Sequence, residues 1–237
     1  GEEVSICRAE GQPDIRCDIR WLAMEPVRRS TNTEVLSAGG DTLSAALVTA
    51  EAAPRGDGTA LKLTVQLTSL AEDMEQGYQQ GFGAGLDNLV EVAHRTMLLD
   101  RVIAAPVEVL WQAWTDPKAL PQWWGPDGFS CRTQRIDLRA GGEWVFDMIA
   151  PDGTVFPNHH KYTRHDREQR IDYTLHWGED GPKHADASVL FTPVEGGTKV
   201  SLSMIFSDRA EYEGAKSMGA VELGLQTLGK LARHVGA

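Results

Sequence analysis

Five histidines, His159, His160, His165, His176 and His184, fall within 26 positions. A cluster of this kind raises metal ligation and proton transfer, and both need side chains that converge on one point. The residues around them alternate. Phe156, Asn158, His160 and Tyr162 share one parity, while Ile171, Tyr173, Leu175 and Trp177 alternate with Asp172, Thr174 and His176. Successive side chains of an extended chain point to opposite faces. His160 therefore lies with the apolar residues on an inner face. His159 and His176 share the outer face, where solvated histidines are expected. His160 and His176 do not converge, so no metal site is expected. Two roles stay open for His160: the polar anchor of an apolar pocket, or a core histidine bonded to a neighbour.

Catalysis has little else to build on. The chain contains no GxSxG, HExxH or GxxxxGK[ST] signature. Gly81-x-Gly83-x-Gly85 lies inside a helical stripe and is read as close packing of that helix on a sheet, not as a dinucleotide loop. Inward parities hold almost no carboxylates. Glu34, in phase with Leu36, and Glu222, beside the last apolar stripe, are isolated, and neither is assigned a catalytic role.

These side chains need elements to hold them. Residues 95–104 read as a strand. Pro106 opens a helix carrying Val109, Leu110, Ala113 and Trp114, and Asp116-Pro117 breaks it. A short second helix runs to Trp124 and stops at Gly125-Pro126. From Phe129 onward the period becomes two. Trp144, Phe146 and Met148 share a face, and Val200, Leu202, Met204 and Phe206 alternate with Ser201 and Ser203. Met218, Val221, Leu225, Leu228, Ala232 and Val235 then form the stripe of one long last helix. Consecutive strands with short turns favour an antiparallel sheet, and its apolar face needs a cover, which the last helix supplies. Adjacent Trp123 and Trp124 cannot both point inward, so they are placed at a cavity mouth.

The chain also repeats itself. Gly58-Thr59 followed by Leu61, Leu63, Val65 and Leu67 matches Gly197-Thr198 followed by Val200, Leu202, Met204 and Phe206, at an offset of 139. Gly85-Leu86-x-x-Leu89 matches Gly224-Leu225-x-x-Leu228 at the same offset. In the first copy Ile15, Cys17, Ile19 and Trp21 alternate, as do Leu43, Ala45 and Leu47, and Met74, Tyr78, Phe82, Leu86 and Leu89 line a helix. The expected organisation is an incomplete unit at 1–94 and a complete one at 95–237. The upstream half of the second copy, 95–141, has no counterpart before Gly1. The first copy is thus expected to have further residues upstream, or to be covered by a homodimer or by the second copy, because an open sheet edge invites pairing.

Composition bounds the partners. Hydrophobic residues make up 41% and charged residues 24%, a globular balance. The formal charge of −11 repels phosphate backbones, so no nucleic acid is expected. No run of apolar residues is long enough to span a bilayer, so no membrane association is expected. Three cysteines, Cys7, Cys17 and Cys131, provide no even disulfide framework, and the reading is a reduced, cytoplasmic protein with no cofactor.

Several short motifs run in order through the second copy: Ala105-Pro106, Trp114-Thr115-Asp116-Pro117, Trp123-Trp124-Gly125-Pro126, Arg139-Ala140-Gly141-Gly142-Glu143-Trp144, Met148 and Pro151-Asp152-Gly153. With them, residues 96–235 resemble the START-like (SRPBCC) superfamily, in the branch of homologues of the activator of heat-shock protein 90 ATPase. The first copy matches only the later part, with Glu3 where the second has Trp144. The resemblance implies an α+β helix-grip fold, a curved antiparallel sheet wrapped round a long C-terminal helix, often with a cavity between them. The function expected is binding of a small hydrophobic molecule there. Trp123, Trp124, Trp144, Phe146, Met148, His160, Tyr173, Met204, Phe206 and Leu225 would contact it. Two alternatives stand beside this: a cyclase- or hydrolase-like enzyme using His160, Tyr162 and Tyr173, and a chaperone-interacting protein.

Overall fold

Period-two alternation becomes sheet throughout the chain. The computed structural model describes residues 1–8, 13–56 and 58–237, which form two compact units, Gly1–Asp87 and Asn88–Ala237. In the first, β1 (Glu2–Cys7), β2 (Ile15–Glu25), β3 (Arg29–Ala38), β4 (Asp41–Arg55) and β5 (Gly58–Ser69) form an antiparallel sheet in sequence order, followed by α1 (Met74–His94). Met74, Tyr78 and Phe82 of α1 sit on Ala46 and Val48. The buried parity of β4 is therefore Ser44, Ala46 and Val48, opposite to the expected Leu43, Ala45 and Leu47. Both parities of β4 are apolar enough to be covered, and the helix determines which one is. Glu34 pairs across the sheet with Ala46 and accepts a hydrogen bond from Asn32 Nδ2 at 3.1 Å.

The second unit has β6 (Thr96–Ile103), α2 (Val107–Thr115), α3 (Leu120–Trp123), β7 (Ser130–Ile136), β8 (Glu143–Ile149), β9 (Val155–Asp166), β10 (Arg170–His176), β11 (Lys183–Val194), β12 (Gly197–Phe206), α4 (Arg209–Ser217) and α5 (Ala220–His234). Its seven strands are antiparallel in the order β6-β12-β11-β10-β9-β8-β7. Leu228, Leu231 and Ala232 of α5 bury against the inner face together with Leu110 and Trp114 of α2. The chain is an α+β protein of helix-grip architecture, with two antiparallel sheets and a C-terminal helix.

The expected last helix is α5, one continuous helix, and a separate helix, α4, precedes it. Gly219, in a left-handed conformation (φ 77°), lies between the two. Met218 and Val221 are exposed and leave the apolar stripe.

The glycines of the repeat also behave differently in the two units. A Cβ at Gly81, Gly83 or Gly85 would meet nothing within 4 Å, so these residues do not mediate the close packing expected of them. A Cβ at Gly224 would lie 2.3 Å from Leu99 Cδ1, and here α5 does press onto β6. Leu99 is fully enclosed and cannot simply swing away. Gly224→Val is therefore expected to lower the denaturant midpoint by the equivalent of about 1–3 kcal/mol. Gly85→Ala, in the open helix interior, should raise it by up to about 1 kcal/mol. Urea unfolding of both variants checks the pair.

Candidate functional site

The inner face of β8, β9 and β10 gathers the aromatic residues. Trp144 and Phe146 are stacked, with ring centroids 3.7 Å apart and planes at 15°. Strand register sets Trp144 opposite His160 and His160 opposite Leu175. The His160 ring meets Phe146 edge-on at 5.0 Å, Trp144 at 5.6 Å and Trp124 at 5.4 Å, and stacks on Tyr173 at 4.8 Å. Trp144, Phe146, Tyr173 and Phe206 are buried; Trp124, Met148, Met204 and Leu225 are partly buried around the same core.

His160 is 2% exposed. Burial, and then the charges of His184, His159 and His176, push its pKa down to about 3, so the imidazole is neutral at ordinary pH. Burial raises the phenols of Tyr162 and Tyr173 well above their usual range, Tyr162 with a further contribution from Tyr173.

Trp123 does not stand at an entrance. It is 1% exposed, packs edge-on against Trp114 at 4.8 Å and donates its indole N–H to the Ala113 carbonyl at 2.9 Å. Helix α3 turns it inward and leaves Trp124, half-buried, over His160. Trp124 opens the segment 124–129, in which Gly125 and Gly128 have φ of 90° and 80°. Lys230 of α5 donates to the carbonyls of Trp124, Pro126 and Phe129 at 3.4, 3.3 and 3.0 Å and clamps that segment. Nothing in the sequence pattern marked Lys230, because it lies off the apolar stripe of its helix.

The inner face is packed ring against ring. Two open clefts lie away from this face: one of about 590 Å³ lined by Glu25, Val27, Arg28, Arg29, Glu51 and Pro54 among others, and one of about 260 Å³ between Val109, Gln112 and Asp116 of the α2 region and His234. Neither contains a residue expected to bind ligand. Phe206, in the same core, contacts His184 and Tyr212. His184 reaches it because its neighbour Ala185 pairs directly with Phe206 across β11 and β12. Its two ring nitrogens are buried without partners, and the ring stacks on Trp177.

On the outer face His159 is buried, not solvated as expected. Its Nε2 lies 2.7 Å from Glu143 Oε2, its ring lies 5.8 Å from His176, and Arg135 bridges Glu143 to Glu179. The Arg135 guanidinium first, then His159, hold the Glu143 carboxyl below its usual range. Among the described residues no group of three or more His, Cys, Asp or Glu is placed to hold a metal ion, and no described helix is long and apolar enough to cross a membrane.

No curated protein matches the chain. A solved structure from Nitrosomonas europaea is 27% identical, with a TM-score of 0.54, over 60% of this chain and 95% of that one. One from Chromobacterium violaceum is 28% identical, with a TM-score of 0.52, over 60% and 98%. A Mycobacterium smegmatis protein, 23% identical with a TM-score of 0.56 over 62% and 94%, shares the fold. The family described as Activator of Hsp90 ATPase homolog 1-like protein matches residues 104–236, more than half of the sequence. The chain belongs to that family, through the part that runs from the loop before α2 to the end of α5.

Proposed function

We propose that the unit 88–237 binds a small, mostly apolar ring compound against Trp124, Trp144, Phe146, His160 and Tyr173, with Met148, Met204, Phe206 and Leu225 forming the surrounding wall. The observation that carries this reading is His160, a buried polar ring enclosed by four aromatic rings on an otherwise apolar face. Entry is beside Trp124, whose half-buried ring is carried on the glycine-containing segment 124–129.

The test is a titration of the full chain with naphthalene, followed by intrinsic tryptophan fluorescence and thermal unfolding. A saturable change is expected, with stabilisation of about 2.7 kcal/mol at a ligand concentration of a hundred times Kd. A response that stays linear and leaves Tm unchanged would overturn the proposal. A chaperone-directed role has the family's description as its support, and no surface feature adds to it. An enzyme would need an acid and a base converging on one point, and the described inner face pairs none.

The first unit is proposed to repeat the later strands and last helix of the second, on the strength of the shared 139-residue offset and the common order of last strand and helix. A cytoplasmic location is proposed from the three free cysteines.

A further inference from the structure

The two units differ at one matching edge. In the second, β12 is hydrogen-bonded on both sides, to β11 and to β6, and the β6 register sets Met97, Leu99 and Arg101 opposite Met204, Leu202 and Val200. In the first, β5 ends its sheet and pairs with β4 alone. The 139-residue offset places β5 on β12, yet no described strand stands where β6 would. An edge of this kind offers a row of unpaired N–H and C=O groups to an incoming strand.

Helix α1 shows the same omission independently. At the same offset Leu89 matches Leu228 and Gly85 matches Gly224. Leu228 is fully enclosed, whereas Leu89 is 51% exposed. Gly224 has Leu99 of β6 against it, whereas a Cβ at Gly85 would meet nothing within 4 Å. Gly85 nevertheless lies seven residues from Tyr78, on the helix face that Tyr78 turns to the sheet. The open strand edge and the open helix face thus correspond to surfaces that β6 covers in the second unit. Charge narrows the occupant. Lys62 is the only lysine or arginine from Gly58 to His94, against Glu72, Asp73, Glu75, Asp87 and Glu91. A second copy would bring the same carboxylates to this face, while a basic segment would meet opposite charge.

We propose that β5 and α1 form a docking site for a separate extended polypeptide segment, basic and with alternating apolar residues. It adds to the sheet antiparallel to β5 and sets one large apolar side chain against Gly85. Main-chain hydrogen bonds to β5 supply affinity, and the fit at Gly85 supplies selectivity. This inference rests on the proposed repeat and is independent of the ring-compound site.

The probe is a fluorescein-labelled peptide of residues 95–104, which carries two arginines and one aspartate. It is titrated into the full chain and followed by anisotropy. Saturable binding of one peptide per chain is expected. Gly85→Leu fills the open place from the helix side, and its urea midpoint should not fall. Affinity should drop about tenfold or more in that variant, and likewise for a peptide carrying Leu99→Ala. No saturable binding overturns the proposal, as does binding indifferent to Gly85→Leu, which places the peptide elsewhere on the chain. Self-association in sedimentation velocity that Gly85→Leu abolishes would make the occupant a second copy and overturn it too. If Gly85→Leu weakens binding but the Leu99→Ala peptide binds as tightly as the parent, the strand site stands and its correspondence with the second unit falls.

Discussion

Phe146→Ala should lower the unfolding free energy of residues 88–237 by about 3–5 kcal/mol, the range for removing a fully enclosed phenylalanine. Phe146 is 1% exposed, stacks on Trp144 and meets His160 edge-on. Aromatic pairing of this kind adds about 0.5–1.5 kcal/mol to area burial, and both contacts would be lost. The measurement is urea unfolding followed by tryptophan fluorescence, with the transition of the second unit identified by its dense tryptophans. A cost below about 1 kcal/mol would mean that the Phe146 side chain is not enclosed as described.

Acidification should produce the second large effect. Burial pushes His160 down to about 3 and His184 down to about 4, and it lowers His165 and His176 as well. In each case the folded value lies below the unfolded value of about 6.5, so the unfolded chain binds more protons between the two. The stabilisation is complete above pH 6.5 and declines as pH falls towards the folded values. For His160, which is fully enclosed, the decline is about 1.4 kcal/mol per pH unit across that window. Glu143 acts in the same direction at the acid end. Its carboxyl is held low by Arg135 and His159, and that contribution is lost as pH falls through its folded value. Urea midpoints measured from pH 7.5 down to 4.5 should fall steadily once the pH is below about 6.5. A flat profile over that range would show that His160 is hydrated and chargeable in the folded protein, and would remove the basis for a neutral site.

Much of the second unit was legible in local pattern alone. Side-chain parity along a strand depends on the backbone of that strand and nothing else, so Trp144, Phe146, His160 and Tyr173 could be assigned to one face without knowledge of their neighbours. Pro106, Asp116-Pro117 and Gly125-Pro126 bounded α2 and α3 for an equally local reason: they restrict φ and remove backbone donors. What parity cannot tell is which face is covered, and that depends on distant residues. Helix α1 covers Ala46 and Val48 rather than Leu43, Ala45 and Leu47. The ring of Glu143, His176 and the Arg135–Glu179 pair encloses His159 on the outer face. Bulges shift the count as well. One between Asp172 and Tyr173 and another between Leu175 and His176 alter register locally. The two tryptophans at 123 and 124 show the same division. Their adjacency required them to diverge, and the packing of α3 against Trp114 sent Trp123 inward and left Trp124 over His160. Gly85 and Gly224 occupy matching places in the repeat, yet only Gly224 has a strand pressed against it, because close approach is a property of two elements and a sequence motif describes one.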